Sequence, residues 1–397
     1  MSRVSARSIL GYARQCLRLK SYLKQPGDGR PRPQIAARHV LWGLIMGSLL
    51  RENAYHAVEW WVRSKARPGM AVGRSFSNDT IGYFTERLDP EPARAALATA
   101  CQRAKRNKAF ENTRYIGLAV DGSTGGRCSE SGCPLCHPIV NEDGEIVCHL
   151  HQFVMLSVVG TGLSLPVDVE PYPPGDSEYT AGQRLLRRAV QKLGSRFADY
   201  VVADSKFATA PFLHVADELG LKTVASLKAN LPELFTAAQQ RFESQPPHRC
   251  FSFGKDRVEI WDADDFDPWD ALNWTSVRVF RYRQYKPDGV VIDAYWLTNF
   301  TLQQAGSETL FRMAKNRWEI ENQGFNDGKN RYGMEHIAHH QANSLLIHWL
   351  LIIFAMTIER LYRLRYLHRG AHAPMSAIEL VRLLRISLVS PPRADSS

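Results

Sequence analysis

Ile116-Gly117-Leu118-Ala119-Val120-Asp121 is an apolar run closed by an acid, and Tyr200-Val201-Val202-Ala203-Asp204 repeats the pattern. Short continuous apolar runs of this kind predict strands buried on both faces. Around the first, residues 115–120, 150–159 and 163–169 read as three strands in series. The last two are joined by the short turn Gly160-Thr161-Gly162, so the three form an antiparallel meander. A helix over 179–193, a strand over 201–203, a helix over 211–219 and a strand over 222–227 follow. The order predicts an α/β fold, and strands return over 251–300, with Lys286-Pro287-Asp288-Gly289 as a turn. A long helix that Ser307 can cap then carries Asn316-Arg317-Trp318-Glu319-Ile320-Glu321-Asn322.

Two strand-end acids and an acid within a helix can gather three carboxylates at one point. Such a cluster repels itself unless cations sit in it, because like-charged carboxylates cannot all stay ionised when close. Oxygen ligands suit Mg²⁺ (or Mn²⁺), and two such ions can clamp an in-line phosphoryl displacement. Arg317 and Glu321 are four apart and share one helix face, which Phe325 continues. Glu319 is a rival third acid, two residues away and on a different face.

The run Arg317-Trp318-x-Ile320-Glu321-Asn322, with Lys329 beyond it, resembles the signature of the DDE transposases of bacterial insertion sequences. The broad family is the one typified by insertion sequence four, and the resemblance spans roughly residues 75–360. It implies an RNase H-like catalytic core, and a meander followed by alternating helix and strand is the order such a core requires. It also implies Asp121, Asp204 and Glu321 as the catalytic, metal-holding acids, and Arg317 and Lys329 as DNA contacts. Trp296, on the strand before the acid-bearing helix, becomes the surface on which an expelled base stacks. The implied activity is metal-dependent cleavage and strand transfer at terminal inverted repeats. The partners are double-stranded DNA of the transposon ends and the target, bound by a homodimer. Two departures stand out. Ala314 replaces a frequent Tyr, and Gly328 occupies the usual Lys position, with Lys329 one further on. In an α-helix seven residues return to within about 20° of the start and eight overshoot by about 80°, so Lys329 is expected off the Glu321 face. A metal nuclease without strand transfer, and a catalytically inactive domesticated DNA-binding protein, are the competing readings.

Composition fits a polyanionic partner. The 397 residues are 44% hydrophobic, enough for a globular chain of more than one structural unit, and carry a net charge of +10. Residues 1–40 contain a single acid, Asp28, among many Arg and Lys. The expected organisation is a helical DNA-end-binding region over 1–110, then the catalytic domain over 111–335. That domain carries a Cys/His insertion at 125–151 and a β-rich insertion at 228–305, and a helical region over 336–397 follows. The apolar runs 40–50 and 345–358 fall short of the roughly twenty residues a bilayer requires, so no membrane is expected. Arg3, Arg7, Arg14 and Arg18, without an apolar core, do not read as a secretory signal. The expectation is a cytoplasmic protein of the bacterial nucleoid, in which the seven cysteines are not a disulfide framework.

Cys133-x2-Cys136 and Cys148-x2-His151 are separated by eleven residues. Between them Asp143-Gly144 is a hairpin turn flanked by Ile139-Val140 and Ile146-Val147. Folding the two pairs against each other predicts a tetrahedral, structural Cys₃His zinc site, with Cys128 and His149 able to replace a member. Cys16, Cys101 and Cys250 are scattered and read as core or inert.

Overall fold

The structure is a computed structural model describing residues 4–110, 113–367 and 376–389. Six helices come first: α1 (Ala6–Gln15), α2 (Leu19–Lys24), α3 (Ala37–Leu49), α4 (Tyr55–Arg63), α5 (Asn78–Arg87) and α6 (Glu91–Arg106). Ser77 caps α5 by accepting from the Thr80 N–H, and Pro92 sits in the first turn of α6, where a missing N–H leaves no bond unmade. Residues 50–54 separate α3 from α4, and Arg51 there takes a positive φ of 65°.

The sheet then begins with β1 (Gly117–Cys128), β2 (His137–Val140), β3 (Ile146–Val159) and β4 (Leu165–Pro171). It continues through α7 (Glu178–Leu193), β5 (Tyr200–Ala203), α8 (Ala210–Glu218) and β6 (Lys222–Leu227). Strand β1 pairs antiparallel with β3 and parallel with β5, β5 is parallel to β6, and β4 lies on the outer edge of β3. The order β4-β3-β1-β5-β6 is therefore that of an RNase H-like core. After α9 (Pro232–Glu243), the strands β7 (Arg249–Phe253), β8 (Asp256–Phe266), β9 (Val277–Tyr285) and β10 (Val291–Thr298) extend this sheet. Leu297 of β10 lies opposite Ala225 of β6, so the β-rich insertion continues the catalytic sheet.

The chain closes with α10 (Ser307–Glu319), a π-helical segment (Ile320–Asn326), α11 (Asp327–Tyr332), α12 (Ala342–Tyr366) and α13 (Ala377–Val389). Gly306, not Ser307, is the residue that caps α10. The Ser307 hydroxyl donates instead to Asp262 at 2.6 Å, and the same carboxylate holds the buried Arg278. That contact ties the insertion to the first turn of the acid-bearing helix. Helix α12 runs through the centre of the molecule, buried along most of its length. It alone among the described helices has the length and hydropathy to cross a bilayer, yet 94% of its most apolar stretch is buried inside the protein. Helices α1–α6, the sheet and α12 share one continuous apolar core. A second, smaller core lies between α9 and the insertion strands, around Phe242, Trp261 and Leu297.

Candidate active site

Strand β1 does not stop at Asp121, as the apolar run suggested; it continues to Cys128. What ends at that point is its parallel pairing with β5, whose last partners are Val120 and Ala203. Asp121 and Asp204 therefore follow a matched pair of residues on neighbouring parallel strands, at the carboxyl ends where α/β sheets place ligands. Asp204 is held by a turn of 3₁₀-helix, its Oδ1 accepting from the Lys206 N–H at 2.9 Å. Arg317 of α10 places Nη1 3.3 Å from Asp121 Oδ2 and 2.5 Å from Glu321 Oε1. Asp121, Asp204, Arg317 and Glu321 share the wall of one cavity of about 690 Å³, with Lys228, Arg281 and Trp318.

The electrostatics of this wall are those of a cation site. Burial pushes the Asp121 carboxyl up to about 7; the Arg317 charge opposes the rise and the charges of Asp204 and Glu321 add to it. All three acids offer hard oxygen donors, so the set fits Mg²⁺ or Mn²⁺ better than a soft metal. Glu319 turns the other way. Its carboxylate accepts from the Gly160 N–H at 3.3 Å, in a separate cavity of about 400 Å³ beside Tyr200 and Asn316. Burial there pushes Glu319 up to about 7 as well, and the Gly160 N–H opposes it.

The acid-bearing helix is not α-helical throughout. Glu321 lies inside the π-helical segment, whose i→i+5 bonds each enclose one more residue than those of an α-helix. Eight residues from Glu321 to Lys329 thus span the turns that seven would otherwise fill. The extra residue in the sequence is absorbed there. Lys329 Nζ reaches Thr124 Oγ1 on β1, three residues beyond Asp121 along the strand, at 3.1 Å, and Glu335 at 2.9 Å. It is not among the residues lining the cavity.

Trp296 lies on the wall of the same cavity, though it is only 2% exposed and its ring stacks on Phe280. The half-buried Trp318 brings an indole to the same cavity, with Lys315 Nζ 4.1 Å from its ring centre. Lys206 and Glu178 were not singled out from the sequence. They pair at 3.1 Å beside the acids, and Gly122, lacking a Cβ, leaves the space that Glu178 fills against β1. Only the spacing Asp204-x-Lys206 hinted at the first.

Of the four expected zinc ligands, Cys133, Cys136 and His151 come together. Cys148 does not join them. It is three residues from His151 on β3, and residues an odd number apart on a strand face opposite sides. Cys128 and His340 stand in the cluster instead.

The strand order, with Asp121 and Asp204 at the sheet's carboxyl edge and Glu321 facing them from the helical segment, is that of an RNase H-like core with a carboxylate centre. Residues 112–358, well over half of the chain, match the family model of the transposase DDE domain, and the chain belongs to that family. No curated protein matches the chain. Among solved structures it is similar to a piggyBac transposase synaptic complex with hairpin DNA, at 13% identity and a TM-score of 0.46. That match covers 90% of this chain and 73% of the other.

Proposed function

We propose that the protein is the transposase of a bacterial insertion sequence, cutting and rejoining double-stranded DNA at the element's terminal inverted repeats. The observation that carries the reading is the meeting of Asp121, Asp204 and Glu321 on one cavity wall in a chain of this family. Mg²⁺ or Mn²⁺ at these carboxylates would supply charge neutralisation at the phosphoryl group and a lowered pKa for the attacking oxygen. The chain's own part is positional. Arg317 shares its guanidinium between Asp121 and Glu321; once those acids are committed to cations, its fork of donors is free for a DNA phosphate. Lys228 adds positive charge along the same wall, where Arg281 is paired with Asp293, and Lys329 of α11 reaches across to β1.

Arg14, Arg18, Lys20 and Lys24 are exposed on and beside α1 and α2, a basic edge suited to the element's ends. Reversing those charges lowers the salt slope of DNA-end binding by about one unit for each phosphate no longer neutralised. The reading has the protein working as a homodimer on DNA, in the cytoplasm at the nucleoid. The test is Mg²⁺-dependent joining of a pre-cut element end to a target plasmid. Strand transfer is the expected result. Hydrolysis alone would make the protein a nuclease, and binding without either reaction would make it an inactive DNA-binding protein.

A further inference from the structure

Beyond the carboxylates, one corner of the molecule gathers five soft donors from four stretches of chain. Cys133 Sγ lies 3.8 Å from Cys136 Sγ and 3.4 Å from His151 Nε2. Cys136 Sγ lies 3.5 Å from His151 Nε2 and 3.2 Å from His340 Nε2, and Cys128 Sγ lies 3.7 Å from His340 Nε2. The donor atoms of Cys128, Cys136, His151 and His340 are all within 4.8 Å of one another. A tetrahedral zinc with Zn–S near 2.3 Å and Zn–N near 2.0–2.1 Å has edges of about 3.8 Å between two sulfurs and about 3.5 Å between sulfur and nitrogen. The Cys133–Cys136, Cys133–His151 and Cys136–His151 separations meet those edges to within about 0.1 Å, and the Cys136–His340 pair is somewhat shorter.

We infer that Cys133, Cys136, His151 and His340 bind one structural zinc ion that fastens the segment following the catalytic helix to strand β3 and to the connection between β1 and β2. Five donors compete for four positions, and geometry separates them. Cys133 Sγ makes two of the tetrahedral edges, to Cys136 and to His151, whereas Cys128 Sγ turns to the His149 carbonyl at 3.8 Å. The absence of a side chain on Gly132 leaves room for the His340 ring, which a Cβ there would strike.

The consequence lies in what His340 belongs to. It is nearly half the chain length from His151, in the stretch between α11 and α12. The same stretch carries Glu335, which holds Lys329 at 2.9 Å. The zinc thus closes a very long loop, the arrangement in which a clip restrains most chain, and it fixes the far end of the acid-bearing helix. With all four positions filled by protein, it is not a catalytic ion. The zinc site stands on the cysteines and histidines alone and is independent of the DNA chemistry.

The test is elemental analysis of the full-length protein purified without added metal, with His340→Ala, Cys136→Ala, Cys148→Ala and Cys128→Ala beside it. The expected result is one zinc per chain in the wild type, Cys148→Ala and Cys128→Ala, and less than about a tenth of that in His340→Ala and Cys136→Ala. Cobalt substitution of the wild type guards against a variant that fails to fold: its thiolate-to-cobalt charge-transfer band should have the intensity of two sulfur ligands. A zinc content near zero, loss of zinc in Cys148→Ala or Cys128→Ala, retention in His340→Ala, or a three-sulfur band would each overturn the assignment.

Discussion

Two clusters of metal-type donors lie along and just beyond one strand, β1, and are built on opposite plans. At Asp121 the donors are hard oxygens on the wall of a cavity of about 690 Å³, with Arg317 shared between two of them. Near Cys128 the donors are sulfur and imidazole pressed against one another, with Cys136 and His151 buried. An ion in the first place keeps open positions for water and a phosphate; an ion in the second spends every position on the chain. The middle and the far end of β1 thus lead to a site that exchanges ligands and to one that joins segments.

The largest expected effect comes from the open site. Asp121→Ala, Asp204→Ala or Glu321→Ala should each lower cleavage and joining of an element end by roughly a thousandfold or more, since several kcal/mol of charge stabilisation is removed. DNA-end binding, followed by gel shift, should change only a few-fold, because it rests on phosphate contacts. Glu319→Ala should keep most activity. Loss of activity in Glu319→Ala with retention in Glu321→Ala would break the comparison at its first member.

Next is the closed site. Stripping its ion with a strong chelator should lower the unfolding temperature by roughly 10 °C or more, while transfer to Mg²⁺-free buffer should leave it nearly unchanged. Calorimetry on both samples measures the contrast, and equal shifts would erase it. Lys329→Ala should cost about 1.5–3 kcal/mol in the rate of joining, roughly a tenfold to hundredfold loss, with little change in unfolding temperature. A drop in stability without a drop in rate would make Lys329 part of the clip and not of the reaction.

The smallest effect separates both clusters from ordinary acid lability. Burial lowers the pKa of His348, in α12, to about 4; the Gly333 carbonyl opposes the shift and the His336 charge adds to it. A histidine depressed on folding contributes stability that is present above about pH 6.5 and lost as the pH falls toward 4. His348→Gln should therefore be less acid-sensitive than the wild type, by about 1–2 kcal/mol between pH 7 and 5 in urea midpoints. An unchanged slope would move the acid sensitivity to the clusters.

The open site was legible because its signals are local. An apolar run ending in an acid marked where the parallel pairing of β1 and β5 stops, although β1 itself runs on to Cys128. Glu319 and Glu321 could not be separated by spacing alone; the contact of Glu319 with Gly160 shows which way each points. The closed site defeated the same style of reading. Counting two residues between Cys148 and His151 treats a strand as a loop, whereas the pleat puts them on opposite faces. His340 carried a faint signal, a histidine pair just past the acid-bearing helix, but no spacing rule reaches across that much chain. Strand position put Trp296 on the cavity wall but did not report that most of its ring is covered there.

The central helix has a consequence in time. Residues 40–49 of α3 are buried throughout, and α12 is one of the elements that cover them. Ribosomes add on the order of 5–20 residues per second, so roughly 15–60 s pass between completion of α3 and completion of α12. For that interval a strongly apolar helix has no permanent partner on one side and is open to aggregation or to a chaperone. Slow synthesis or stalling before residue 342 lengthens this exposure, so the yield of folded protein depends on how quickly the ribosome clears the second half of the message.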